Sequence, residues 1–157
     1  LQSRGLGDVY KRQILYKTFV KNKKAVVKVK SIKSKLSDTE FEVMKVVWEN
    51  TPPITSAIVM EQLGNDKHWK IATVLTLLQR LVNKGFLRTE KFSKERLYYP
   101  IVDRDEYLTL ETKKFIKEYH NNSLKSFMDL LFMAGSISSK EIEELDELIK
   151  NRKDWSD

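Results

Sequence analysis

Trp69-Lys-Ile-Ala-Thr-Val-Leu-Thr-Leu-Leu-Gln-Arg-Leu-Val-Asn-Lys-Gly85 divides in two when laid on a helical period of about 3.6 residues. Val74, Leu77, Leu78, Leu81 and Val82 fall on one side, as a stripe that faces a core. Thr73, Thr76, Gln79, Arg80, Asn83 and Lys84 fall on the other, a side with hydrogen-bonding groups and positive charge but no carboxylate. Gly85 stands where such a helix stops in a left-handed conformation. Short hydroxyls near the start and an arginine farther along suit the DNA major groove. Threonine can donate to or accept from base edges, and arginine can bond a guanine edge bidentately, for about 1–3 kcal/mol of discrimination. The same face would also serve a surface helix whose polar side only meets water, so the flanking segments decide.

Downstream the period changes. Residues 86–91 and 96–101 alternate as strands around Phe92-Ser-Lys-Glu95, which reads as a hairpin. Upstream, Ser37-Asp-Thr-Glu40 is a capping box, followed by Phe41, Met44, Val47 and Trp48 at helical spacing. That helix should end near Asn50, before Pro52-Pro53. Ile54 is extended, Thr55 caps a second helix from Ser56 to about Leu63, and Gly64-Asn65 stops it. Three helices followed by a basic hairpin form a winged-helix arrangement. Lys91, Lys94 and Arg96 of the hairpin, with Lys70 and Lys84 at the helix flanks, are candidates for the phosphate backbone. A lysine-rich hairpin can also be only a soluble edge.

From Asp103 the chain turns helical again. Residues 105–119 carry Tyr107, Leu108, Leu110, Phe115 and Ile116, and His120-Asn-Asn-Ser123 breaks the run. Leu124, Phe127, Met128, Leu130, Leu131 and Phe132 crowd a short apolar helix ending at Gly135. Ser138-Ser-Lys-Glu141 is a second capping box, and Ile142, Leu145, Leu148 and Ile149 line the last helix. These helices are too apolar to stay wet and too few to make a core alone, so they are expected to pack against a second copy. The candidate dimerisation residues are Phe115, Leu124, Phe127, Met128, Leu131, Leu145 and Leu148. A two-fold dimer would present two groove-reading helices to half-sites roughly 34 Å apart, or a multiple of that.

Composition narrows the function class. The 157 residues, 41% of them hydrophobic, suffice for one domain with an added segment. With no cysteine there is no thiolate metal site and no cysteine nucleophile, and His68 and His120 have no ligand spacing. No nucleophile–base pair or phosphate loop stands out, so no catalytic residue, metal or cofactor is expected and an enzyme is remote. No run approaches the apolar length of a membrane span, which leads to an expectation of a soluble cytoplasmic protein. Residues 1–35 hold 11 Lys/Arg against Asp8, whereas residues 67–96 hold eight basic residues against Glu90 and Glu95. A second positive patch thus lies on the helix and hairpin, while residues 103–157 carry nine basic and 13 acidic residues.

Residues 1–35 do not read as a domain. Asp8-Val-Tyr-Lys-Arg-Gln13 resembles the translation of a sequencing adapter, and residues 1–13 are expected to lie outside the folded protein. Residues 14–35 read either as upstream sequence translated in frame or as a basic arm that follows phosphates. The absence of any capping or packing pattern favours the first. The leader is expected to be disordered or artefactual, residues 36–102 a winged-helix DNA-binding domain, and residues 103–157 a helical dimerisation domain.

Several spaced residues together carry a resemblance: Leu36-Ser-x-x-Glu40-x-Glu42-Val-Met44-x-x-x-Trp48, then Trp69, Thr73, Thr76-Leu77, Arg80-Leu81, Lys84-Gly85, Tyr98-Tyr99, Asn122-Ser-Leu124 and Ile142-Glu-Glu-Leu145. On these the chain resembles the penicillinase repressor family, the BlaI/MecI/CopY group of bacterial transcription repressors. The resemblance implies a homodimer on palindromic operator DNA, controlling genes for β-lactam resistance and an associated membrane-bound sensor. It also implies base reading from the positions of Ala72, Thr73, Thr76 and Arg80, which join Gln79 as the candidate set. Members with lysine in place of Ala72 or arginine in place of Leu75 differ here, so the operator sequence is left open. The copper-responsive switch of some members needs cysteines and is excluded. Resistance repressors are inactivated by a protease at an Asn–Phe bond. That bond falls here at Phe127-Met128, so the scissile pair is not kept. The alternative reading is a winged-helix module that docks on protein and does not read bases; a monomer without DNA affinity would favour it.

Overall fold

The computed structural model describes residues 34–153 and, before them, Lys11 alone. The expectations for the leader therefore lie outside the described residues, except at Lys11, Ser34 and Lys35. In chain order the elements are α1 (Asp38–Glu49), α2 (Ser56–Val59) running into a π-helical turn (Met60–Gly64), and α3 (Ile71–Asn83). Then come β1 (Leu87–Phe92), β2 (Glu95–Pro100), α4 (Arg104–His120), α5 (Leu124–Met133) and α6 (Ser139–Lys153). Three helices and an antiparallel hairpin make a winged helix, and further helices follow. The chain divides into two compact units, Leu1–Leu108 and Thr109–Asp157, with α4 running from one into the other.

Local chemistry sets the helix ends of the first unit. The Ser37 hydroxyl accepts from the Glu40 amide and the Glu40 carboxylate accepts from the Ser37 amide, so both capping-box bonds form. Thr55 caps α2 by accepting from the Ile58 amide. At the end of α3 the Phe86 amide donates to Leu81 and the Gly85 amide to Val82, with Gly85 at φ +81°. This is the Schellman arrangement, which needs a residue at ease in the left-handed region. The chain then reverses into β1.

Two elements differ from expectation. The second helix is α-helical only to Val59 and then widens, the Asn65 amide donating to Met60 five residues back. The widened turn brings Gly64 so close to α3 that a Cβ there would lie 2.6 Å from the Met60 sulfur and 3.3 Å from Val74 Cγ2. The hairpin is also tighter than the four-residue loop expected. Phe92 pairs with Glu95, and only Ser93 and Lys94 make the link, because Ser93 takes φ +56°. Ile54 bridges Tyr98 on the far side of β2, each donating its amide to the other's carbonyl.

The core lies between these elements. Val43, Met44 and Val47 of α1, Val59 of α2, Val74, Leu78 and Leu81 of α3, and Ile54, Phe86 and Leu87 are buried together. Tyr107 closes one side. Its ring centroid is 6.0 Å from Phe41, 5.9 Å from Trp48 and 5.5 Å from Phe86, and its hydroxyl accepts from the Leu36 amide. The Trp48 indole donates to the Val102 carbonyl at 2.9 Å. These contacts draw the first turn of α4 into the first unit.

The second unit is built differently. The His120 ring sits 5.5 Å from Phe115 and 5.3 Å from Phe127, with Nδ1 3.2 Å from the Ser126 hydroxyl. Asn121 and Asn122, both at positive φ, turn the chain, and Ser123 caps α5 through the Ser126 amide. Ser138 and Glu141 form the expected capping box of α6. Among the described residues of this unit only His120 is buried.

Candidate nucleic-acid interface

One side of α3 is fixed and the other is open. Val74, Leu77, Leu78 and Leu81 are buried against α1, α2 and β1, which holds the helix axis in place. Ala72, Thr73, Thr76, Gln79 and Arg80 are all exposed on the opposite side. The helix has no acidic residue in its first turn, so the positive end of its dipole is uncompensated and favours an anion. Lys70, at the N-cap position, uses no side-chain bond to cap it and is exposed.

The polar groups on the open side are not equivalent. The Thr76 hydroxyl donates its proton to the Ala72 carbonyl at 2.8 Å. That leaves its lone pairs for an amino donor and its methyl group outward. Gln79 Nε2 donates to Asn83 Oδ1 at 3.0 Å, which steadies the amide and leaves its oxygen free to accept. Among the described residues nothing bonds the Arg80 guanidinium, so all five of its donors remain for a ligand.

Lys84, expected at the phosphate backbone, has partners within the first unit. Its ammonium lies 2.6 Å from Glu40 Oε2 and also donates to the Lys35 carbonyl at 3.2 Å. The Glu40 side chain is buried, and a buried carboxylate needs a partner charge, so Lys84 is committed inside the domain. Burial pushes the Glu40 carboxyl up. The Lys84 hydrogen bond, the Ser37 amide and the charge of Lys84 together outweigh this and hold it below the ordinary carboxylate value.

The hairpin keeps its charge free. Lys91 and Arg96 are directly opposite each other across the strands, on the same face as Leu87 and Tyr98. Lys94 stands in the turn. All three are exposed, and among the described residues none has an ion pair. Like charges placed opposite destabilise a hairpin unless an anion lies against them. Arg88, one face over, is occupied: its guanidinium lies 4.0 Å from the Tyr99 ring centre and 3.9 Å from Glu90.

Two features escape the periodic reading of the sequence. Ile71 and Leu75 are large apolar residues left exposed on α3. Counting about 100° per residue from Val74 puts Ile71 at roughly 60° and Leu75 at roughly 100°, at the margin of the buried stripe, where it borders the hydroxyl-bearing side. The Glu40–Lys84 pair was half visible, as a capping carboxylate and a lysine beside the helix stop.

Of the residues expected to pair two copies, Phe115, Leu124 and Leu148 are exposed, and Phe127, Met128, Leu131 and Leu145 are half-buried. The Phe127–Met128 bond lies inside α5, where a protease would have to unwind the helix to reach it. Among the described residues no helix is long and apolar enough to cross a membrane.

The chain is similar to several known proteins. The penicillinase repressor of Bacillus licheniformis is 32% identical over 121 residues, covering 75% of this chain and 94% of that protein. The methicillin resistance regulatory protein MecI of Staphylococcus aureus (strain N315) is 28% identical over 117 residues, 74% of this chain and 94% of that one. A solution structure of the Bacillus licheniformis BlaI monomeric form in complex with the blaP half-operator is 35% identical. It covers 47% of this chain and 89% of that chain, with a TM-score of 0.41. The sequence profile described as penicillinase repressor matches residues 36–151, from the start of α1 into the last turns of α6. The chain therefore belongs to the penicillinase repressor family, a family of transcriptional repressors rather than of enzymes.

Proposed function

We propose that this protein represses transcription in the cytoplasm as a homodimer on a palindromic operator in double-stranded DNA. In this reading α3 enters the major groove, with Ala72, Thr73, Thr76, Gln79 and Arg80 at base edges. Lys70 and the hairpin cations Lys91, Lys94 and Arg96 lie along the phosphates. The observation that carries it is the contrast across α3: a buried inner side and an outer side whose Arg80 guanidinium has no bond among the described residues. Pairing is supported by the second unit, where Leu124 is 64% and Met133 83% exposed. Apolar surface of that extent along α5 favours association with a like surface. The proposed targets are genes of β-lactam resistance, in keeping with the methicillin resistance regulator among its relatives. Proteolysis within the second unit is the proposed route of release, since it would remove the pairing surface.

The test is capture of genomic fragments by the purified protein, sequencing of the bound sites, and titration of the recovered site against salt. Saturable binding to a two-fold site, weakening steeply as salt rises, is expected. Arg80→Ala should relax the preference at one position per half-site, at about 1–3 kcal/mol. Lys94→Ala should weaken binding to all sequences alike and lower the salt slope by about one. Equal losses for Arg80→Ala on cognate and scrambled DNA would remove it from base reading. A monomer without affinity for any fragment would instead favour docking on protein.

A further inference from the structure

Ile71 is 48% and Leu75 42% exposed on α3, where its buried side borders its open side. They stand one helical turn apart, and Leu75 is one turn from both Ala72 and Gln79. The Thr76 hydroxyl is turned back onto the Ala72 carbonyl, so its proton is not offered outward. Single exposed apolar residues are ordinary on a protein surface. This one is not isolated, and it sits in a setting of one charge sign. Lys70 precedes and Arg80 follows Leu75 along the chain, and no carboxylate occurs anywhere in α3. An exposed apolar margin on a helix with basic residues and no acid suits a polyanion that shows an apolar group within a groove.

We propose that Leu75, with the Ala72 methyl beside it, packs on the 5-methyl group of a thymine in each half-site and so determines one operator position. The proposal rests on the operator reading given above and extends it to a base. Thymine alone shows a methyl group on the major-groove floor. At the same place cytosine shows an amino group, and the purines show ring nitrogen with oxygen or amino groups. Against a leucine these polar edges would lose water and gain no partner.

Deoxyuridine differs from thymidine only by that methyl group, so it isolates the contact. Once the operator is known, each thymine is replaced by deoxyuridine in turn, in both half-sites, and Kd is measured for the wild type, Leu75→Ala and Leu75→Met. One position is expected to weaken wild-type binding about fourfold per half-site, the size of one methyl group returned to water. At that position Leu75→Ala should show no response, and Leu75→Met, still apolar, should keep it. Indifference of the wild type to deoxyuridine at every position overturns the proposal, as does an unchanged response in Leu75→Ala. Either result leaves sequence-specific binding, and with it the operator reading, intact. A wild type that shows no sequence preference on any DNA overturns both.

Discussion

Glu40 ties the start of α1 to the end of α3. Its buried carboxylate accepts from Ser37 at 2.8 Å and from Lys84, 44 residues away, while Lys84 holds the carbonyl of Lys35. A carboxyl group whose value is lowered in the folded state contributes stability above its unfolded value and loses it as pH falls through the folded one. Glu40→Gln should therefore cost about 1–2 kcal/mol near neutral pH, less than a fully buried pair, because water still reaches the Lys84 ammonium. As pH drops below the ordinary glutamate value of 4.5, the wild type should lose this advantage. The gap between the urea midpoints of the two proteins should narrow from neutral pH to about pH 3.5. A constant gap would assign the effect to shape rather than charge. The cap half of this contact was legible, because Ser37 and Glu40 are three residues apart. The Lys84 half was not, since only the packed fold brings the two ends together.

At the level of elements, the signals that were readable are those contained in one turn. The apolar period of α3, both capping boxes and the stop at Gly85 need no information from elsewhere. Gly85 has open space where a Cβ would go, so only its φ of +81° matters. Gly85→Ala should lower stability by about 1–2 kcal/mol, the cost of a left-handed residue with a side chain. Gly85→Asn should lose less, since asparagine tolerates that region. Thermal denaturation of the two variants gives the order, and equal losses would point to crowding instead. The π-helical turn was not legible, because it arises from the approach of Gly64 to Val74 on a different helix. The open side of α3 was read for its hydroxyls and charge. Leu75 and Ile71 were passed over because an amphipathic reading looks for apolar residues only on the buried side.

On the scale of the whole molecule, the two units keep different balances of burial. The first has a closed core that ends with Tyr107; in the second, Leu148 is 51% and Ile149 57% exposed. Leu148→Glu adds charge to a surface position and should leave the helices formed. It should shift light scattering from a dimer mass to a monomer mass and weaken operator binding, as loss of two-site attachment requires. A variant that stays dimeric would move the pairing surface off this stripe. The excess of apolar side chains in the second unit, against the single buried residue among those described, was visible as a cluster of leucine, phenylalanine and methionine. Which of them a second copy would cover was not, because that depends on the shape of two surfaces at once.

The exposed apolar helices beyond Thr109 also bear on inheritance. On the proposed pairing, a chain damaged at Arg80 but intact in those helices would still be chosen as a mate by a normal chain. In a cell with two gene copies, mixed pairs would then carry one working reader and hold the operator poorly. Lesions in α3 should accordingly be dominant over the normal allele, and lesions in the mating helices recessive to it.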